Sequence, residues 1–261
     1  MLTVAFALVA LVGLAANPTP AAAAGMKVVV VVGPVGSSTA KYISNARQYA
    51  SQARSYGATV VELYSPNATW SRVKTADQGA NVLIYLGHGN GSPSPYGAFS
   101  AYTKDGLGLN ATAGHGNNNT KYWGEYYVRN YINLARNAVV ILNHLCYASG
   151  NSEWGSANPT RSVARQRVDN FGAGFLRANA RAVFAEGVTS ASYILAAVFT
   201  SDATVGSIFM SSPRASGAYD FQFASARTPG YRVWMDPSSP GRYYRSVVGN
   251  LNLAASQIRG G

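Results

Sequence analysis

Two side chains capable of covalent chemistry stand where apolar runs of the sequence end. The run NVLIYLGHGNG, residues 81–91, contains His88, one of three histidines. The run NAVVILNHLCYASG, residues 137–150, contains Cys146, the only cysteine. A cysteine thiolate attacks carbonyl carbon atoms, and an imidazole can accept the thiol proton and return it to a leaving group. The two runs therefore predict a nucleophile and its base, provided that the fold brings them together.

Backbone amides of the same turns could serve this reaction. Gly89 has no side chain to cover its N–H group, and the N–H of Cys146 is its natural partner. Two such donors stabilise the oxyanion that develops when a nucleophile attacks a carbonyl group. We therefore expect Gly89 and Cys146 to form an oxyanion hole.

Each of these residues also has a simpler interpretation. A lone cysteine in an exported chain can be an inert buried thiol or an intermolecular link, and His88 can be an ordinary turn residue. His144 is a rival base, although we expect it to line the substrate pocket, and His115 is expected on a solvated loop. The three histidines lack the short spacing of a helix-borne zinc site, so we expect no metal and no cofactor.

The apolar runs belong to a long alternation of strand and helix patterns. Continuous β-branched runs such as MKVVVVVG are typical of strands buried on both faces, and helical patterns separate them. This alternation predicts an α/β fold, a three-layer α/β/α sandwich with a mostly parallel sheet. Ligands and chemistry in such sheets collect beyond the carboxyl ends of the strands, where His88 and Cys146 stand. The expected strands cover residues 26–33, 58–64, 80–87, 138–145 and 181–187, and the expected helices cover 39–57, 67–77, 122–137 and 162–180.

Two regions interrupt the alternation. Residues 90–120 are rich in Gly, Asn and Pro, and we expect a long binding loop without regular structure at the active edge. After about residue 205 the sequence mixes aromatic alternation with Pro and Gly, which indicates short strands or an extended tail. We therefore assign residues 25–205 to the catalytic domain and residues 206–261 to a segment that completes the same domain.

The first 24 residues have the features of a secretory signal peptide. An apolar stretch over residues 2–16 precedes small residues that end at Ala24, and this stretch is shorter than the ~20 residues of a membrane span. We expect a secreted protein, extracellular or in the cell envelope, with no membrane span. A lipid-embedded anchor is the alternative.

The chain is basic, with a formal net charge of +11 from 21 Lys and Arg residues against 10 acidic residues. The basic residues are scattered singly and form no nucleic-acid-binding motif, so we expect no nucleic-acid partner. The oligomeric state stays open.

The two motifs, in their order and spacing, resemble the caspase, gingipain and legumain group of cysteine peptidases. LGHGNG is similar to the His-Gly half of that pattern, and NHLCYASG is similar to the Cys half. Residues 171–187, FGAGFLRANARAVFAEG, resemble the helix and strand that follow the cysteine in bacterial members. Leu145 and Gly150 depart from the caspase pattern around the cysteine. The resemblance covers roughly residues 26–200.

This resemblance implies a caspase-like sheet and a protein or peptide substrate. It implies that Cys146 is the nucleophile, that His88 is the general base and acid, and that the backbone N–H groups of Gly89 and Cys146 bind the oxyanion. The residue before the scissile bond is recognised by charge in such peptidases, an Asp through arginines and an Arg or Lys through an acid.

Glu186 is the acidic residue that the expected topology places best for this recognition, because it ends the strand over residues 181–187. We expect Glu186 and His144 to contact the substrate, with a structural cap or ion pair as the alternative for Glu186. The sequence does not decide among Asp, Asn, Arg and Lys. The competing function is a catalytically silent secreted binding module on the same fold, which would recognise a glycan or an anionic envelope polymer.

Overall fold

The computed structural model describes residues 25–261. The signal peptide expected over residues 1–24 lies outside the described residues, and secretion stays a prediction. Within residues 25–261, no helix combines the length and the apolar character that crossing a bilayer requires.

An eight-stranded, mostly parallel sheet forms the centre of the fold, and a separate two-stranded hairpin lies beside it. The strands are β1 (Lys27–Val32), β2 (Thr59–Tyr64), β3 (Val82–Leu86), β4 (Leu107–Asn110), β5 (Thr120–Trp123), β6 (Ala138–Asn143), β7 (Ala180–Glu186), β8 (Phe221–Ala224), β9 (Arg232–Met235) and β10 (Arg245–Gly249). The helices are α1 (Thr39–Ser55), α2 (Trp70–Asp77), α3 (Glu125–Tyr131), α4 (Arg161–Arg177), α5 (Ser192–Thr200), α6 (Val205–Met210) and α7 (Ala255–Arg259). The strand order in the large sheet is β2-β1-β3-β6-β7-β10-β9-β8. The expected α/β class with a mostly parallel sheet is confirmed.

The core lies on both faces of the sheet, because successive strand residues point to opposite sides. In β1, Val28 and Val30 join one buried cluster, to which α1, α5, α6 and α7 contribute. Val29 and Val31 join a second cluster, to which α2, α3 and α4 contribute. Each buried aliphatic side chain of this kind contributes about 1.5–3 kcal/mol, so the sheet is a firm support for the turns at its edge.

The C-terminal part of the chain extends the parallel sheet with antiparallel strands. β10 pairs antiparallel with β7, β9 with β10, and β8 with β9. The aromatic alternation after residue 205 thus corresponds to short strands.

Two sequence-based expectations need correction. The helix expected over residues 122–137 is confined to α3, because Tyr122 and Trp123 belong to β5 and pair with β4 instead. The loop expected over residues 90–120 is not without regular structure, since it contains β4. Leu107 and Leu109 of β4 are both buried, and this burial draws a glycine-rich segment into a hairpin.

The sheet register brings the two chemically interesting turns together. β3 and β6 are neighbouring parallel strands, and Leu86 pairs with Asn143 at their carboxyl ends. His88 follows Leu86 by two positions, and Cys146 follows Asn143 by three. The two turns therefore leave the sheet side by side at the same edge.

Candidate active site

The turns that carry His88 and Cys146 are in direct backbone contact. A Cβ atom built on Gly89 would lie 1.9 Å from the carbonyl oxygen of Cys146 and 3.0 Å from its nitrogen. A side chain at position 89 would overlap Cys146, so only glycine allows this approach. The His-Gly motif thus has a structural reason, which is to let the two turns touch.

Buried hydrogen bonds fix the backbone of the His88 turn. The hydroxyl of the fully buried Tyr85 lies 3.2 Å from the His88 carbonyl oxygen and donates to the Gly108 carbonyl oxygen at 2.8 Å. The Asp105 N–H donates to the Asn90 carbonyl oxygen at 3.0 Å. The His88 side chain itself is exposed, so a rigid backbone presents an accessible imidazole.

The Cys146 turn contains two non-glycine residues in the left-handed region. His144 has φ 61° and Tyr147 has φ 69°. Each such residue costs about 1 kcal/mol or more, and residues of this kind concentrate at functional sites. The N–H of His144 donates to the Glu186 carbonyl oxygen at 2.8 Å, which ties the turn to β7.

The backbone N–H groups expected to bind an oxyanion have no acceptor in the described part of the fold. Among hydrogen bonds within residues 25–261, neither the Gly89 N–H nor the Cys146 N–H donates to an acceptor. The two amides belong to turns that touch, and their role as oxyanion donors stays a prediction.

A cavity of about 510 Å³ opens beside Cys146. His144 and Tyr42 line one part of it, with their rings 5.6 Å apart. Glu153 and the 96% exposed Trp154 line another part. His88 does not line this cavity. The volume is sufficient for a long amino-acid side chain next to the thiol.

The pKa values of both members of the expected pair are shifted toward their uncharged forms. Burial, with a smaller contribution from the Glu153 charge, raises the pKa of the Cys146 thiol to about 11. Desolvation lowers the pKa of His88, and the Glu153 charge opposes that effect. Both shifts favour a neutral thiol and a neutral imidazole in the resting state over a thiolate and an imidazolium.

His144 is a wall of the cavity rather than a free base. Its Nδ1 atom lies 3.3 Å from the Gly187 carbonyl oxygen. Desolvation lowers the pKa of His144, and the contact with Gly187 opposes this shift. One ring nitrogen is thus occupied by the backbone beyond β7.

Glu153 is the functional candidate that the sequence reasoning missed. Its carboxylate accepts a hydrogen bond from the Tyr96 hydroxyl at 2.7 Å, and its charge reaches both Cys146 and His88. Among the ion pairs within residues 25–261, none involves Glu153. The available signal was its position seven residues after the cysteine in a chain with only 10 acidic residues. Glu153 lies on a loop and not at the end of a strand.

Glu186 is placed differently from the expectation, which needs correction. It is 1% exposed, and its carboxylate pairs with the Arg245 Nε atom at 3.0 Å. Tyr193 donates to the same carboxylate, and Asp236 pairs with the same arginine. Glu186 does not line the cavity beside Cys146, although the next two residues, Gly187 and Val188, do. Glu186 is thus part of a buried ionic network, the alternative considered for it.

Other sequence-based candidates are also located. His115 is exposed on the loop between β4 and β5, as expected. The described part of the chain contains no group of three or more His, Cys, Asp or Glu side chains that could hold a metal ion.

Comparison with known proteins adds no family assignment. A scan against protein-family models finds no match, and a search of curated proteins finds none either. The resemblance to caspase-type peptidases therefore rests on the sequence motifs alone.

Proposed function

We propose that this protein is a secreted cysteine endopeptidase with a caspase-like three-layer α/β/α fold. The observation that carries the proposal is the backbone contact between Gly89 and Cys146 at the carboxyl ends of neighbouring parallel strands. The two core clusters on opposite faces of the sheet support the three-layer arrangement.

The reaction uses the neutral pair directly. As the Cys146 sulfur attacks the carbonyl carbon of the scissile bond, the thiol proton passes to His88. The carbonyl oxygen becomes an oxyanion and accepts hydrogen bonds from the N–H groups of Gly89 and Cys146. His88 then gives its proton to the leaving amine, and a thioester remains on Cys146. Water hydrolyses this thioester, with His88 accepting the water proton and returning it to the sulfur.

The raised pKa of the thiol makes the base essential. With the pKa of Cys146 at about 11, roughly one thiol in 10,000 is ionised at pH 7. Attack therefore requires proton transfer during the step. His88 is suited to this role, because desolvation lowers its pKa and keeps the imidazole neutral and able to accept a proton.

The cavity favours a cationic side chain before the scissile bond. Glu153 lines the cavity and has no ion-pair partner within residues 25–261, although its charge also acts on Arg167. A substrate Arg or Lys would supply that partner, and a charge-assisted hydrogen bond contributes about 1.5–3 kcal/mol. Arg242 also lines the cavity and would repel a substrate cation placed near it. The cation therefore binds on the Glu153 side.

A covalent inhibitor tests the proposal. The mature protein is incubated with a peptidyl arginyl chloromethyl ketone, and the modified residue is identified by mass spectrometry. We expect modification of Cys146, none in Cys146→Ala, and a rate about 10²–10⁴-fold lower in His88→Ala. His115→Ala is the matched control, because His115 is exposed on the loop between β4 and β5 and does not line the cavity, and it should label like the wild type. Equal labelling of the His88→Ala and wild-type proteins would refute the proposal.

The competing function is a secreted binding module without catalysis. The burial that raises the pKa of the Cys146 thiol favours it, because a buried thiol is a poor nucleophile without a base. Alkylation by iodoacetamide distinguishes the two functions. A rate that does not change in His88→Ala supports the binding module, and a rate that falls supports the peptidase.

A further inference from the structure

A continuous group of aromatic side chains lies on the surface formed by α2, β5, α3 and the loop before β4. Ring contacts connect all of its members, with centroid distances from 4.7 to 6.3 Å. We call this group the aromatic surface, and its members are Trp70, Tyr102, Trp123, Tyr126, Tyr127 and Tyr131.

The fold explains only part of this group. Trp70 and Trp123 stack at 5.1 Å and pack against one of the buried clusters. The four tyrosines belong to neither cluster. Tyr102 is 57% exposed and Tyr131 is 46% exposed. Exposed aromatic side chains that lie next to one another are a common feature of binding sites.

The tyrosine hydroxyls of the aromatic surface are unused. Within residues 25–261, none of the four makes a hydrogen bond. Tyrosines elsewhere in the fold behave differently, since the Tyr49 hydroxyl donates to Asn143 at 2.8 Å and the Tyr85 hydroxyl donates to Gly108 at 2.8 Å. Four free hydroxyls beside exposed rings suit a ligand that has both apolar faces and polar groups.

Three cations border the rings. The Lys121 Nζ atom lies 4.5 Å from the centroid of Trp123, and the Lys74 Nζ atom lies 6.0 Å from that of Tyr131. The Arg129 guanidinium lies 6.0 Å from another tyrosine ring. None of the three cations forms an ion pair within the described residues. The surface is thus aromatic and positively charged, with no carboxylate that compensates the charge.

The one acidic residue of α3 does not change this charge. Glu125 is 1% exposed and pairs with Arg177 and Arg227 on the inner side of the helix. A ligand on the aromatic surface would therefore meet cations and rings, not carboxylates.

We propose that the aromatic surface binds an anionic polysaccharide. The C–H faces of its sugar rings would pack on the exposed tyrosines, its carboxylates would pair with Lys74, Lys121 and Arg129, and its hydroxyls would bond the tyrosine hydroxyls. A single-stranded nucleic acid fits less well, because bases stack on successive open ring faces. Here most neighbouring rings are tilted or perpendicular, such as Trp123 and Tyr127 at 81°. The proposal is independent of the peptidase activity.

Binding to polygalacturonate tests the proposal. Affinity electrophoresis is run in gels that contain polygalacturonate, uncharged dextran or no polymer, and oligothymidylate binding is measured separately. Tyr131→Ala and Lys121→Ala are the test variants, because both positions are exposed and their loss should leave the fold intact. Arg47→Ala is the matched control, since Arg47 is an exposed cation on α1, which packs on the other buried cluster. Thermal unfolding confirms that each variant is folded.

We expect retardation by polygalacturonate but not by dextran, and a loss of affinity of about two- to fivefold in each test variant but not in Arg47→Ala. An equal loss in Arg47→Ala would show attraction by overall charge alone and would overturn the proposal. Unchanged binding in both test variants would also overturn it, as would tighter binding of oligothymidylate than of polygalacturonate.

Discussion

The Cα atom of Gly89 lies against the backbone of Cys146, so closely that a Cβ atom would sit 1.9 Å from the Cys146 carbonyl oxygen. This contact joins the turn after β3 to the turn after β6. It places Gly89, the neighbour of His88, against Cys146. The N–H groups of Gly89 and Cys146 donate to no acceptor within residues 25–261. The contact is possible because residue 89 is a glycine and has no side chain.

Replacing Gly89 with alanine should therefore separate the two turns. We expect Gly89→Ala to lower the free energy of unfolding by about 1–3 kcal/mol, the usual range for overpacking in a rigid environment. We expect hydrolysis of a fluorogenic arginyl peptide to fall by about 10²-fold or more, because misplaced donors no longer stabilise the oxyanion. Urea unfolding and steady-state kinetics measure the two effects.

Gly260→Ala is the control for this substitution. Gly260 also has a negative φ, and a Cβ atom there would lie 3.5 Å from its nearest neighbour, the Ser256 carbonyl oxygen. This variant should keep both stability and activity. Full activity in Gly89→Ala would show that the turn contact does not matter for the reaction.

The pH dependence of hydrolysis should have a single limb on the acidic side. The general base is neutral His88, and desolvation lowers its pKa below the ordinary value of 6.5. Activity should therefore fall as the pH falls through a value below 6.5, where His88 becomes protonated. The pKa of Cys146 is about 11, so no loss is expected between pH 7 and about pH 9. The measurement is kcat/KM at constant ionic strength, and an acidic limb centred above pH 7 would contradict the neutral pair.

Replacing Glu153 with glutamine should change alkylation and cleavage in opposite directions. The Glu153 charge raises the pKa of the Cys146 thiol, so its removal should lower that pKa and speed alkylation by neutral iodoacetamide. Cleavage after Arg or Lys should fall by about 10- to 100-fold, because the substrate cation loses its partner. The Glu153 charge also raises the pKa of His88, so the acidic limb should move to lower pH.

Asp202→Asn is the control for the loss of a carboxylate. The Asp202 side chain is 78% exposed and pairs with Arg259, away from the cavity. We expect it to leave alkylation, cleavage and the acidic limb unchanged. Unchanged cleavage in Glu153→Gln would show that another group recognises the substrate.

Replacing Glu186 with glutamine should alter stability and not substrate preference. Burial raises the pKa of Glu186 to about 7, although Arg245 opposes the shift. Because the folded pKa is higher than the unfolded one, the native state holds the proton more tightly, and this carboxyl reduces stability as the pH rises from about 4.5 to about 7. The free energy of unfolding of Glu186→Gln should lack that pH dependence, which amounts to at most about 3 kcal/mol. Urea unfolding of both proteins at pH 5 and pH 7 measures the difference.

The ratio of cleavage after Arg and after uncharged residues should stay the same in Glu186→Gln. A lower ratio would return Glu186 to the role of substrate selector. A stability difference that is the same at pH 5 and pH 7 would show that Glu186 titrates outside this range.

Local patterns of the sequence were sufficient to predict the strand ends and the proximity of the turns that carry His88 and Cys146. The β-branched runs that become β1, β3 and β6 are apolar on both faces, and only the interior of a parallel sheet buries such strands fully. Strands that alternate with helices run in the same direction, so their carboxyl ends share one edge. The proximity of the His88 and Cys146 turns follows from those two facts.

Pairing between distant segments decided the rest. Glu186 ends β7 as the sequence predicted, but β10 pairs antiparallel with β7 in a register that sets Arg245 opposite Glu186. No local pattern indicates a partner 59 residues away, and the ion pair removes Glu186 from the cavity. Glu153 and the aromatic surface were missed for the same reason. The surroundings of a loop carboxylate or an exposed ring depend on which segments pack beside it, and tertiary contacts alone determine that.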